Sequence, residues 1–257
     1  MIQQITFRVF AYTRHALRSL KSKKGYGVHS PFAFDFITSI INPESISYYY
    51  CFSKIEQLRR QCEQDHKKLT LANGKASSLL KIARQSASPS KDGQLLFRTA
   101  LAVKAKRIIE LGTSIGLGTS YLASASKESQ VISIDHNASV LEIAKRNIKS
   151  LGINNVSFIQ ESIDTALIKA LKQLKTVDLV FLDGNHVGEA TKQYFNTAKE
   201  FTHSGSVFIF HDIHWSKDMY DAWVEITKDN KVSSVIECYN VGFVFFNREL
   251  KPQHFYA

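Results

Sequence analysis

Cysteine is scarce in this chain of 257 residues: Cys51, Cys62 and Cys238 are odd in number, widely spaced and without a CxxC pair. That arithmetic supports neither a disulfide framework nor a cysteine zinc site, and it suits a reducing compartment. Glycine and proline are also few, 12 and 4, which excludes collagen-like and low-complexity chains. Long apolar runs are missing too. The run at 177–182 is far short of the ~20 residues a bilayer crossing needs, and Arg8 and Arg14 interrupt the apolar stretch near the N-terminus. Neither a membrane span nor a cleavable signal is expected, so the reading is cytoplasmic. Acid is lacking in one region: residues 1–106 hold 18 Lys/Arg against 6 Asp/Glu, a balance of +12, while residues 107–257 balance at −2. A basic segment of this kind either attracts an anionic partner or is simply a solvated surface.

What is present is an ordinary globular composition, 44% hydrophobic and 22% charged. A chain of this length buries roughly 70% of its unfolded surface and needs no covalent staples. From Arg107 onward, short β-branched runs alternate with helical stretches, the pattern of a parallel sheet covered on both faces. Seven strands are expected, at 107–112, 131–136, 156–161, 177–184, 206–213, 232–239 and 242–248. Near-continuous apolar interiors such as V-D-L-V-F-L and V-F-I-F agree with burial on both sides. Only Asn240 and Val241 separate the last two strands, too few for a crossover, so these should form an antiparallel hairpin at one edge.

Residues 1–90 read as a basic helical extension and 91–257 as the main domain. Ile5, Val9, Tyr12, Ala16 and Leu20 share one helical face, with Arg14, Arg18 and Lys21 opposite. That apolar face could pack on the main domain or on a partner subunit, or dock on RNA or an anionic membrane. Of these, peripheral membrane contact is not expected, while a homodimer and RNA binding stay open. Gly25 to Phe32 reads as a turn, since Pro31 disfavours helix at Ser30. Further helices are expected near 54–68 and 77–86. The aromatic string at 47–52, S-Y-Y-Y-C-F, is either a pocket wall or a core anchor.

The strongest chemical signal is I-I-E-L-G-T-S-I-G-L-G-T-S at 108–120, a strand, a glycine-rich turn and a helix. Gly112, Gly116 and Gly118 lack Cβ atoms, so a ligand can lie against the backbone there. The spacing G-x-x-x-G-x-G differs from the G-x-G-x-x-G of nicotinamide sites, and no Lys-Ser/Thr follows as in a P-loop. With Glu110 ahead of the first glycine, the string resembles the class I S-adenosylmethionine-dependent methyltransferases. Asp135, at the end of the second strand, can accept hydrogen bonds from both hydroxyls of an adenosyl ribose. Glu110 would stand near the cationic end of the donor.

The resemblance covers roughly residues 91–248. It implies an α/β Rossmann-like methyltransferase fold with strand order 3-2-1-4-5-7-6, the seventh strand antiparallel. It also implies backbone contacts to S-adenosylmethionine at Gly112 and Ser114, and a place near the adenine for Ser162.

The acceptor side is read from the fourth and fifth strands, V-D-L-V-F-L-D-G-N-H and S-V-F-I-F-H-D-I-H. They deliver Asp183 and His186, then His211, Asp212 and His214, to the carboxyl edge. These strings resemble the catechol-type O-methyltransferases and a related bacterial branch. In the catechol-type enzymes the fourth-strand Asp and an Asp-Asn pair hold a divalent metal, and a Lys three residues beyond the first Asp is the base. Here Asp183 matches the first ligand, His186 stands in place of the Lys, and His211-Asp212 in place of Asp-Asn. The resemblance thus implies Asp183 beside both donor and acceptor, His186 as general base, and Asp183, His211 and Asp212 as a possible site for magnesium or a transition metal. Chemically, methyl transfer from a sulfonium is an in-line displacement needing orientation and, for a hydroxyl acceptor, removal of a proton. A neutral imidazole, with an ordinary pKa near ~6.5, can accept that proton at cellular pH.

Missing strings narrow the acceptor. No [N/D]-P-P-[Y/F] follows the fourth strand, against exocyclic N-methylation of bases, and no Cys stands at that edge for pyrimidine C5 chemistry. The leading expectation is O-methylation of a small hydroxylated molecule. The rivals are an RNA methyltransferase using the basic segment on phosphates, and a non-catalytic adenosyl-ligand-binding module.

Overall fold

The computed structural model describes residues 2–20, 22–44, 49–72, 74–85 and 87–257. Ser47 and Tyr48 of the aromatic string, Lys21 of the basic face and Ser86 at the end of an expected helix lie outside the described residues. In chain order the elements are α1 (Ile2–Ser19), α2 (Pro31–Asp35, continued by a π-helical turn Phe36–Ile41), α3 (Tyr50–Cys62), β1 (Lys68–Thr70), β2 (Ala76–Ser78), α4 (Leu79–Gln85) and α5 (Ser90–Ala102). They continue as β3 (Arg107–Leu111), α6 (Leu117–Ser124), β4 (Gln130–Ile134), α7 (Ala138–Ser150), β5 (Val156–Ile159) and α8 (Ile163–Leu174). The rest are β6 (Leu179–Leu182), α9 (Gly188–Ala198), β7 (Val207–His211), α10 (Lys217–Ile226), β8 (Ser234–Glu237), β9 (Val241–Phe245) and β10 (Gln253–Tyr256).

Two compact units divide the chain: Ser47–Leu174 forms one, and Met1–Ile46 with Lys175–Ala257 forms the other. In the continuous unit, β3 pairs with β4 and β4 with β5, all parallel. The loop and helices after β3 and β4 pack on a cluster that includes Phe52, Ile55, Leu79, Phe97, Ile115, Leu117, Tyr121 and Ile143. Tyr49, Phe52, Phe97 and Tyr121 stack at centroid distances of 4.6 to 5.5 Å, so the described part of the aromatic string anchors this core. Gly93 on α5 permits that packing, because a Cβ there would stand 2.3 Å from the Tyr121 ring.

In the other unit, β6 and β7 are parallel, β9 is antiparallel to both β7 and β8, and β10 is parallel to β8. All seven expected strands are present, the orders within the units are 3-2-1 and 4-5-7-6, and the sixth and seventh strands pair antiparallel as their short link requires. The expectation that this hairpin forms the edge is corrected, because β10 adds a further strand beyond β8. Its sequence, Q-H-F-Y, is short, half polar and follows Pro252, so it carried no strand signal.

The other differences lie before residue 103. The expected helix at 54–68 occupies 50–62, and the following residues form the β1–β2 hairpin instead. The turn at Gly25 is real, with φ of +78° and +76° at Gly25 and Gly27, but Ser30 caps α2 by accepting from Ala33 N, with Pro31 in the first turn. Helix α1 forms as its periodicity requires, yet its burial is rotated. Ala11, His15 and Ser19 face inward, while Val9, Tyr12 and Leu20 of the expected buried face are exposed.

Candidate functional site

The donor side begins at the β3–α6 turn. Gly112 (φ +101°), Ser114 (φ +49°) and Gly116 (φ +80°) all take left-handed backbone, which glycine adopts without strain. At Gly116 a Cβ would also meet Ala144 at 3.1 Å, so the turn is closed tightly against α7. Asn147 on α7 braces it from behind by donating Nδ2 to Ile115 O at 2.9 Å.

Glu110 is 1% exposed. Its Oε2 accepts from Thr119 Oγ1 in the first turn of α6 and from Ser133 Oγ on β4 at 2.5 Å. Thr113 joins Ser133 through a hydroxyl contact of 2.6 Å. A buried carboxylate is tolerable only when hydrogen-bonded in this way, and these bonds tie strand, turn and helix together. The described contacts of Glu110 are thus those of a residue that shapes the glycine turn. Thr119, Ser133, Thr113 and Asn147 went unnoticed in the sequence, because single hydroxyls and amides have no spacing signature.

Asp135 stands just beyond β4. Its Oδ2 accepts from Ser114 N at 3.0 Å and its Oδ1 from Asn137 N at 2.9 Å. Each oxygen keeps a lone pair, so the carboxylate is oriented with capacity for two further donors. Ser114 Oγ is buried and has no hydrogen-bond partner among the described residues, which leaves a polar atom for a ligand beside the turn. Ser162, exposed before α8, approaches Thr165 Oγ1 at 3.1 Å. Gly118 lies buried within α6.

In the other unit, Asp183, His186, His211 and Asp212 gather beyond β6 and β7. His211 Nδ1 lies 2.8 Å from Asp183 Oδ1 and 3.7 Å from Asp212 Oδ2. His186 Nδ1 lies 3.9 Å from Asp212 Oδ2, and its side chain is 34% exposed. Asn185, His186 and Asp212 have positive φ of 74°, 43° and 56°. Three such residues on two adjoining loops are the strained backbone that recurs at functional sites. Trp215 stacks obliquely 5.8 Å from His186.

His214, expected at the same edge, turns away. Its ring is 3% exposed, stacked on Tyr239 at 5.2 Å and Tyr220 at 4.8 Å, with Nδ1 donating to Tyr239 O at 2.6 Å. Burial lowers its pKa against the opposing pull of that bond and of Glu237.

The donor set does not fit a metal as it stands. Among the described residues no group of three His, Cys, Asp or Glu side chains could hold a metal ion. Magnesium favours oxygen cages that two carboxylates alone do not supply.

A glycine turn at the first strand end, an acid at the second and polar loops after the fourth and fifth stand on an α/β Rossmann-like fold of the methyltransferase kind. Residues 109–213 match the family described as "Methyltransferase domain". It is similar to the "Catechol O-methyltransferase" of Mycobacterium tuberculosis, at 26% identity over 149 residues, 56% of this chain and 62% of that protein. Thus the chain spans under two thirds of that relative's length. Among solved structures, the SAH-bound methyltransferase PaMTH1 of Podospora anserina superposes with a TM-score of 0.60 at 13% identity, covering 86% of this chain and 98% of that one. The O-methyltransferase TomG of Streptomyces achromogenes, in complex with SAM, gives 0.56 at 17% identity over 79% and 92%. At these identities the structural likeness concerns the fold.

Proposed function

We propose that the chain transfers the methyl group of S-adenosylmethionine to a hydroxyl of a small acceptor. The observation that carries this reading is the pair of constellations at the strand ends. An oriented carboxylate, Asp135, stands beside the glycine turn, and an accessible imidazole, His186, faces Asp212. Gly112, Ser114, Gly116 and Gly118 would lie along the donor, Asp135 would take its ribose hydroxyls and Ser162 would lie near its adenine. Glu110 would act through the turn it holds.

On the acceptor side His186 is the candidate base. The acceptor hydroxyl gives its proton to the imidazole as its oxygen attacks the sulfonium methyl; the C–S bond breaks and the thioether leaves. Asp212 is placed to stabilise the imidazolium that forms. Asp183, 2.8 Å from His211 Nδ1, is a polar wall that can orient the acceptor hydroxyl. The TomG and M. tuberculosis relatives are named as O-methyltransferases, which favours oxygen as the acceptor atom.

Isotopically labelled donor incubated with the protein and a cell extract tests the reading: label should enter the small-molecule fraction. Entry into RNA would favour the RNA reading, and no transfer despite donor binding would favour a binding module. With an acceptor in hand, His186→Ala should slow single-turnover transfer at pH 7 by about 100-fold, the usual contribution of a positioned base. An undiminished rate would remove His186 from the role.

A further inference from the structure

Helix α1 presents a surface that the proposed reaction does not use. Its inward side is polar for a packed helix: His15 and Ser19 are buried with Ala11. Its outward side carries Val9 (60% exposed), Phe10 (61%) and Leu17 (72%) within one arc that also holds the exposed Thr13; Leu20 (71%) follows just past the helix end, and the exposed Tyr12 lies at the border with the inward side. Tyr26, just past the helix, is exposed as well. The orientation is held firmly. His15 Nε2 donates to Ala257 O at 3.1 Å, Arg18 Nη1 to Tyr256 Oη at 3.0 Å, and Tyr239 Oη to Arg8 O at 3.1 Å. The guanidiniums of Arg8, Arg14 and Arg18 lie over Trp215, Tyr220 and Tyr256 at 5.1, 4.9 and 4.9 Å. An apolar stripe fixed outward by so many inward polar contacts is not a core face left half packed.

Charge decides what covers it. Residues 1–34 contain six Lys/Arg, at 8, 14, 18, 21, 23 and 24, and no Asp or Glu. A second copy placed on the stripe would oppose two segments of the same strong positive charge. RNA would find apolar side chains there, with three of the arginines already seated on aromatic rings. A stripe of Phe, Leu, Val and Tyr followed by Lys21, Lys23 and Lys24 matches an acyl boundary under anionic headgroups. No helix of the described residues is long and apolar enough to cross a membrane, so such contact would be peripheral.

We propose that the outer face of α1 is a docking surface for an anionic lipid bilayer, contrary to the expectation drawn from the sequence. Gln4 Nε2 donates to Trp215 O at 3.2 Å, and Trp215 neighbours His186, so the docked helix is joined directly to the acceptor-side loop.

Co-sedimentation of the full chain with vesicles tests this. Binding is expected to phosphatidylcholine vesicles containing phosphatidylglycerol, to weaken with added salt, and to be absent with phosphatidylcholine alone. Leu17→Ser with Leu20→Ser, both at exposed positions, should lower affinity at least about tenfold. Lys23→Ala with Lys24→Ala should lower it by about fivefold per lysine. Circular dichroism of each variant checks that the fold is kept. The proposal is overturned if the chain ignores anionic vesicles at low salt or if the leucine variant binds as the parent does. It is equally overturned if the parent is a dimer in sedimentation velocity that the leucine variant dissociates. Donor binding measured on the same samples is independent of these outcomes.

Discussion

At the scale of single residues, the donor side rests on carboxylates in two contrasting states. Glu110 is buried with one oxygen taken by two protein hydroxyls, whereas Asp135 is fixed by two amides and keeps capacity to spare. A ligand therefore gains most from Asp135, where the acceptor geometry exists before binding and little ordering remains. Removing it by Asp135→Ala should weaken donor binding by about 2 to 4 kcal/mol, two charge-assisted hydrogen bonds, while Asp135→Asn keeps the shape and loses less. Titration calorimetry with the donor and its demethylated product checks this; equal affinity in the alanine variant would mean that the ribose lies elsewhere. Asp135 and the glycines could be found in the sequence because they sit at fixed offsets from a strand. The hydroxyl network around Glu110 could not, since its members come from β3, α6 and β4 and meet only once those elements are paired.

At the scale of elements, the same contrast separates the strands from α1 and β10. Strands β3, β4 and β6 to β9 announce themselves because apolar runs buried on both faces leave no alternative. For α1 the periodicity gave the helix but not its orientation, because polar anchors outside the helix decide which side turns inward. The centre of that anchorage is Glu237 at the end of β8, 2% exposed. Trp223 Nε1 donates to it at 2.8 Å, His254 Nε2 of β10 at 3.1 Å, and His15 of α1 and His214 face it at 3.9 and 3.7 Å. Burial alone would raise the Glu237 pKa, but these partners outweigh it and hold the group well below the carboxylate range. A carboxyl depressed in the folded state stabilises above its unfolded pKa near ~4.3 and loses that contribution as pH falls toward the folded value. His214, lowered by burial, acts in the same direction below ~6.5, because the folded protein resists its protonation. Stability should therefore decline in two acid-side stages. Glu237→Gln should lower stability at pH 7 by on the order of 3 kcal/mol, as breaking a buried charge cluster does, and flatten the stage below pH ~4. Thermal melts across that range check it; parallel profiles in parent and variant would dismiss the clamp.

At the scale of the whole molecule, the chain divides into two compact units that interleave in sequence. Residues 1–46 belong with 175–257, and 47–174 form a continuous unit. No sequence pattern reveals such interleaving, since it depends on contacts between segments more than a hundred residues apart. It bears on how ligand binding should be felt. The residues proposed to line the donor, Gly112, Ser114, Gly116, Gly118, Asp135 and Ser162, lie in the continuous unit, with Glu110 behind the turn. A ligand bound only to the folded state adds RT ln(1 + [L]/Kd), about 2.7 kcal/mol at a hundredfold excess over Kd. Exchange protection should then rise most in the loop backbone a donor would cover, around residues 112–116 and 162. It should rise little at Ile109 and Ile132, already paired within the sheet. Hydrogen exchange with saturating donor and with its demethylated product checks this pattern. Protection confined to residues 1–46 and 217–257, with the glycine turn unchanged, would place the ligand away from the first two strand ends and undo the assignment of the donor site.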